Sequence, residues 1–86
     1  MEEKTITLAQ LCYMVDEWFD ANETPIIKVV TSDLFEREGI VSFGRYIPEM
    51  LREARPSHFY INNTYEVRID NIRMLEINNC RYFIEN

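Results

Sequence analysis

The chain has 86 residues, 47% of them hydrophobic and 28% charged, with a net charge of −6 and a pI near 4.7. A domain of this size buries only roughly 60 to 70% of the surface its unfolded chain exposes, so little apolar material is left to line a deep catalytic cavity. Two glycines and three prolines in the whole chain exclude a disordered, low-complexity composition, and the acidic balance disfavours a non-specific grip on nucleic acid or anionic membrane.

The first element is announced by two independent signals. Thr7 and Gln10 form the T-x-x-Q spacing of a capping box, and Ile6 stands where it can staple onto Leu11. Leu8, Leu11, Cys12, Val15, Trp18 and Phe19 then recur at helical spacing, with Asp16, Glu17 and Asp20 on another face. This amphipathic helix is expected to stop between Ala21 and Thr24, ahead of Pro25. Pro25 to Thr31 is short and β-branched and reads as a strand. Thr31-Ser32-Asp33 offers caps for a brief helix through Leu34 to Glu38, closed by Gly39. Pro48 fits the first position of a further helix with Ile47, Met50, Leu51 and Ala54 as its apolar stripe, whether that helix begins near Ser42 or near Ile47.

The last third carries a regular punctuation. Asn62-Asn63, Asp70-Asn71 and Asn78-Asn79 lie eight residues apart, each after an isoleucine. Asn and Asp tolerate left-handed backbone, so each pair reads as a two-residue hairpin turn. The expectation is a four-stranded antiparallel meander over about 57–61, 64–69, 72–77 and 80–85, with Ile61 opposite Thr64, Ile69 opposite Ile72, Ile77 opposite Cys80 and Glu76 opposite Arg81. One face would collect Tyr60, Tyr65, Val67, Ile69, Ile72, Met74 and Phe83. The other would place Leu75, Ile77, Tyr82 and Ile84 together, and Arg68 against Arg73. The whole is a single α+β domain, residues 1–86: an N-terminal amphipathic helix, a short strand, one or two short helices and the meander.

Chemistry is sparse. His58 has no partner at a catalytic spacing, the two glycines sit in no phosphate-binding frame, and Cys12 and Cys80 belong to no CxxC or metal-ligand pattern. The residues therefore predict no enzyme, no cofactor and no metal. The N-terminus MEEKTITL has no apolar signal core and no stretch could span a bilayer, which predicts a cytoplasmic protein without membrane contact.

Three binding readings follow. From Met1 to Glu38 nine acids meet three bases, whereas the remainder is balanced. Asp16, Glu17 and Asp20 lie late in the first helix, where the macrodipole favours cations, so acids kept there point to a protein partner with a basic surface, with Trp18 at the margin as an anchor. Small inhibitors, immunity proteins, adaptors and phage-encoded antagonists of nucleic-acid enzymes share this profile. The second reading is a DNA-binding regulator. The element order is that of a winged helix, and LFEREGIVSFGRYIPEML, with Leu34, Gly39, Ile47 and Met50 in the apolar and turn roles, loosely resembles a helix-turn-helix. That resemblance implies phosphate contacts by Arg45, Arg52 and Arg55. The third is a homodimer formed through Leu75, Ile77, Tyr82 and Ile84.

Overall fold

A computed structural model of the chain describes residues 1–44 and 55–85. The described residues form seven strands and one α-helix: β1 (Glu2–Thr7), α1 (Leu8–Asp20), β2 (Ile26–Thr31), β3 (Glu36–Ser42), β4 (His58–Ile61), β5 (Tyr65–Arg68), a 3-10 turn (Ile69–Asn71), β6 (Ile72–Ile77) and β7 (Cys80–Glu85). All seven strands join one mixed sheet in the order β1-β7-β6-β2-β3-β4-β5, in which only the β1–β7 pair is parallel. The fold is thus mostly sheet, which overturns the expected α+β arrangement of several helices and a separate four-stranded meander.

Helix α1 forms as its capping signals require. The Thr7 side chain accepts from the Gln10 amide at 3.1 Å and the Gln10 side chain accepts from the Thr7 amide at 2.8 Å, a reciprocal capping box. At the other end Asn22 takes φ 56°, and the amides of Asn22 and Glu23 donate to Phe19 and Trp18 carbonyls. That is a Schellman closure with asparagine standing where glycine is usual.

The brief helix expected over residues 34 to 38 does not form: Leu34 and Phe35 finish the turn after β2, and Glu36 to Glu38 begin β3. Residues 26 to 40 form a hairpin in which Val29 faces Arg37 and Ile27 faces Gly39. Because the first helix of the helix-turn-helix pattern is a strand, that resemblance has no structural counterpart. Of the Pro48 helix, Ile47, Met50, Leu51 and Ala54 lie outside the described residues.

The four expected C-terminal strands are present, but their pairing is broken in the middle. Asn62-Asn63 and Asn78-Asn79 all have positive φ, as primed hairpin turns need. Ile77 pairs with Cys80 and Glu76 with Arg81 as expected. At the first turn the loop takes in Thr64, so that Ile61 faces Tyr65. Asp70-Asn71 makes no hairpin: it belongs to the 3-10 turn, and β6 crosses over to pair with β2. The facing of Ile69 with Ile72 and of Arg68 with Arg73 therefore does not occur.

This crossover dictates the curvature. In a flat sheet β5 and β6 would lie four strand spacings apart, roughly 19 Å, whereas a 3-10 turn from Arg68 to Ile72 advances only about 8 Å. The sheet must curl until its β5 edge comes near β6. Ile69 N–H donates to the Ser57 carbonyl ahead of β4 and Ser32 N–H donates to the Asn71 carbonyl, fixing the meeting point to both β4 and β2. A register shift between Val30 and Thr31 accommodates the bend.

Helix α1 fills the concave side. Leu11, Val15 and Trp18 pack in one cluster with Ile27 and Val29 of β2, Val41 of β3, Phe59 and Ile61 of β4, Val67 of β5, Ile69 of the turn, Ile72 and Leu75 of β6 and Ile84 of β7. Aromatic edges tie the helix's C-terminal end to the sheet: Trp18 on Phe59 at 6.1 Å, Phe59 on Phe43 at 6.5 Å and Phe43 on Phe19 at 5.3 Å. Tyr60, Met74 and Phe83, expected on one face with Val67, Ile69 and Ile72, lie instead on the convex side, because the 3-10 turn and the register shift change which residues alternate inward.

Candidate functional site

The acidic end of α1 is only partly available. Asp16 and Asp20, one turn apart, both meet Arg55: its Nη1 donates to both Asp20 carboxylate oxygens at 2.9 and 2.8 Å, and its Nε lies 3.9 Å from Asp16. Asp20, followed by Asp16, holds the guanidinium's pKa above its ordinary value. Arg55 thereby supplies the cation that the helix C-terminus lacks in its own last turn. Glu17 stays exposed. Trp18, read from sequence as a marginal anchor, is only 5% exposed and belongs to the core.

The arginine set is likewise altered. Arg45 and Arg52 lie outside the described residues, and Arg55 is engaged by two carboxylates. The expected dimer face is spent on the chain's own interior: Leu75 and Ile84 are buried, and Ile77 and Tyr82 are half-buried against the same core. That core also holds Leu11, Val15 and Trp18 of helix α1.

On the convex face the strand register lines up one row of alternating charge. Glu3 of β1 faces Arg81 of β7, Arg81 faces Glu76 of β6, Glu76 faces Lys28 of β2 and Lys28 faces Glu38 of β3. Arg81 donates to Glu76 at 2.7 Å and to Glu3 at 3.0 Å, while Lys28 leans diagonally, off the row, to Glu36 of β3 at 2.8 Å. Glu76, then Glu3, raise the Arg81 pKa, and Glu36 raises that of Lys28. A one-residue slip of any strand would put these charges on the wrong face, so the row secures the register.

Beside it lies a shallow depression of about 300 Å³ lined by Ile26, Lys28, Glu38, Glu76 and Asn79 among others. Among the described residues no group of three or more His, Cys, Asp or Glu side chains could hold a metal ion. Burial, reinforced by Asp16 and Asp70, pushes the Cys12 thiol pKa up, away from nucleophilic use.

The feature that sequence reading missed is the β2–β3 turn. Leu34 sits at φ 69° and is 84% exposed, and Phe35 next to it is 56% exposed. The turn is tied by Thr31 N–H to the Phe35 carbonyl (3.1 Å), Leu34 N–H to the Thr31 carbonyl (2.8 Å) and the Thr31 hydroxyl to Asp33. Arg37 places its guanidinium carbon 5.0 Å from the Phe35 ring and 4.5 Å from that of Tyr65 on β5, a two-ring stack that braces the turn against the far edge of the curled sheet. A signal existed. Ile40-Val41 is a β-branched pair, and with Gly39 and Ile40 facing Ile27 and Ile26 the residues between the two runs become a hairpin and its turn.

No family model matches this chain, and neither does any curated protein or solved structure. Among the described residues no helix is long and apolar enough to cross a membrane.

Proposed function

We propose that this protein catalyses no reaction and acts by stoichiometric binding to another protein that presents a basic surface, in the manner of an inhibitor, immunity protein or adaptor. The observation that carries the reading is the charge left over after intramolecular pairing. Five of the seven described lysines and arginines are already in ion pairs with the chain's own carboxylates. Glu17 on α1, Glu23 just beyond it, Glu38 on β3 and Glu85 on β7 are exposed and, among the described residues, enter no ion pair. With a net charge of −6, this surface raises the encounter rate with a basic partner and repels acidic ones.

The test is affinity capture on the immobilised chain from a lysate of its source cells, followed by light scattering of the purified complex at several salt concentrations. A complex of fixed stoichiometry whose affinity falls steeply with salt, and falls further for Glu17→Lys/Glu23→Lys, supports the reading. A complex indifferent to both salt and charge reversal sinks it.

A further inference from the structure

Arg37 and Arg73 are the two described basic residues that enter no ion pair among the described residues. Arg73 turns to two carbonyls close by in its own chain. Arg37 gives one Nη1 proton to the Glu36 carbonyl at 3.3 Å and is otherwise held by the faces of Phe35 and Tyr65. Its other N–H donors make no hydrogen bond among the described residues, although a guanidinium has five. Val29 and Ile61, which face Arg37 and Tyr65 across the sheet, are buried. Arg37 and Tyr65 therefore stand on the concave side, where Tyr65 remains 49% exposed, while Glu36 and Glu66 alternate to the convex side. One acid adjoins the stack. Asp33 uses Oδ1 for the Thr31 hydroxyl and the Phe35 amide, and its Oδ2 accepts nothing among the described residues. The Asp33 pKa is lowered chiefly by the Thr31 hydroxyl and, more weakly, by the charge of Arg37, which puts acid and cation in one neighbourhood.

The patch thus carries a cation with spare donors, a carboxylate with a spare oxygen and exposed apolar groups, and these two charges cancel. No segment of a single sign matches it. A copy of itself does, because a two-fold axis brings each of these groups to its complement. We propose that Phe35, Arg37 and Tyr65, with Asp33 and Leu34, form an isologous contact through which two copies of this chain pair. Arg37 of each copy donates to the spare Asp33 oxygen of the other, and the rings and Leu34 of one cover those of the other. The inference goes beyond the binding function proposed above and does not depend on it. The exposed parts of these side chains amount to on the order of 300 Å² per copy, against about 800 Å² in a standard interface. The pair is therefore reversible, forming at roughly millimolar chain and not at micromolar. Each copy carries −6, so salt screens their long-range repulsion and tightens the pair, the opposite of its effect on a complex with a basic protein.

The test is dilution of the isotope-labelled full chain from about 2 mM to about 0.05 mM, followed by sedimentation and amide chemical shifts at low and physiological salt. A monomer–dimer equilibrium is expected, with shifts at residues 33–37 and 65 and an affinity that rises with salt. Arg37→Glu and Asp33→Arg each leave the patch with charges of one sign, so each alone should stay monomeric while their mixture pairs. Phe35→Ser keeps both charges and removes a ring, and should weaken the dimer about tenfold or more. It decides the matter if either charge variant does not fold. Dilution shifts that map elsewhere, Phe35→Ser pairing at parental strength, or folded charge variants whose mixture does not pair each overturn the proposal. A chain that stays monomeric throughout also overturns it and leaves the patch to a different protein, which the capture experiment would find.

Discussion

Gly39 and Asn62 are far apart in sequence and clamped together in the fold. The Asn62 amide donates to the Ile40 carbonyl at 2.9 Å, and its side-chain oxygen accepts from the Ile40 amide at 3.0 Å. A Cβ added at Gly39 would lie on top of the Asn62 carboxamide, closer than real Cβ atoms come to any neighbour. In the parent, Gly39→Ala must therefore push that carboxamide off. It loses a bond worth about 0.5–1.5 kcal/mol and forces a poorer rotamer at about 0.5–1.5 kcal/mol. Reduced freedom of the unfolded chain returns about 0.4–1 kcal/mol. The net is a destabilisation on the order of 1 kcal/mol. In an Asn62→Gly background the obstruction is gone, and φ 54° at that position suits glycine. Gly39→Ala should then be neutral or stabilising, so the two substitutions couple by roughly 1–2 kcal/mol. Urea unfolding of the four proteins measures this, provided the m-values agree. Had Gly39 closed a helix, as the local sequence suggests, alanine there would be harmful whatever stood at position 62. Effects that add to within about 0.5 kcal/mol would refute the contact between β3 and the β4–β5 turn.

Leu75→Ala removes a fully buried side chain between β2 and β7 and should cost about 2–5 kcal/mol, lowering the melting temperature by roughly 10 to 30 °C. A fall of only a few degrees would instead mark an exposed interface residue. Thr7→Ala deletes the reciprocal cap of α1 and should cost about 1 kcal/mol, whereas Thr7→Ser, which keeps the oxygen, should melt close to the parent. The Asp33 pKa is lowered below its ordinary value of 3.8, chiefly by the Thr31 hydroxyl and then by the Phe35 amide. A depressed carboxyl pKa contributes stability that is present above the unfolded value and lost as pH falls through the folded one. The urea midpoints of the parent and Asp33→Asn should differ at pH 7, and the difference should shrink as pH falls below about 4 and vanish below the folded pKa. A difference that stays constant on acidification would remove the turn's carboxylate from the account.

What sequence reading captures here is whatever is decided within a few residues. The capping box of α1 needs only Thr7 and Gln10, and the left-handed Asn78-Asn79 corner needs only itself, so both are legible and both form. Strand β1 is not: Glu2-Glu3-Lys4 has no β propensity, yet charges are tolerated on a sheet edge, and the partner that makes it a strand is Cys80 to Glu85 at the other end of the chain. Glu36 to Glu38 are good helix formers by local preference, and their strand state is imposed by pairing with β2. Asp70-Asn71 fails for a subtler reason. Its spacing and composition match a hairpin, but the same residues suit a 3-10 turn, and only the unpaired inner edge of β2 draws β6 away from β5. Opposed Arg68 and Arg73 were the local sign of this. With β6 beside β2, Arg73 donates instead to the Asp70 and Ile72 carbonyls and Arg68 lies against Asp70.

The same division between near and far governs the surface. Asp16 and Asp20 look like spare charge at a helix end until the fold brings Arg55 onto both of them. Lys28 and Arg81 look unremarkable until the register sets them into one row with Glu3, Glu76 and Glu38. Folding thus consumes much of the charge that seemed available for a partner, and Trp18, the aromatic side chain that seemed to serve it, goes into the core. What it leaves over, among the described residues, are large apolar side chains that stay in solvent. Leu34 is foremost among them, 84% exposed while the turn's own hydrogen bonds hold its φ at 69°.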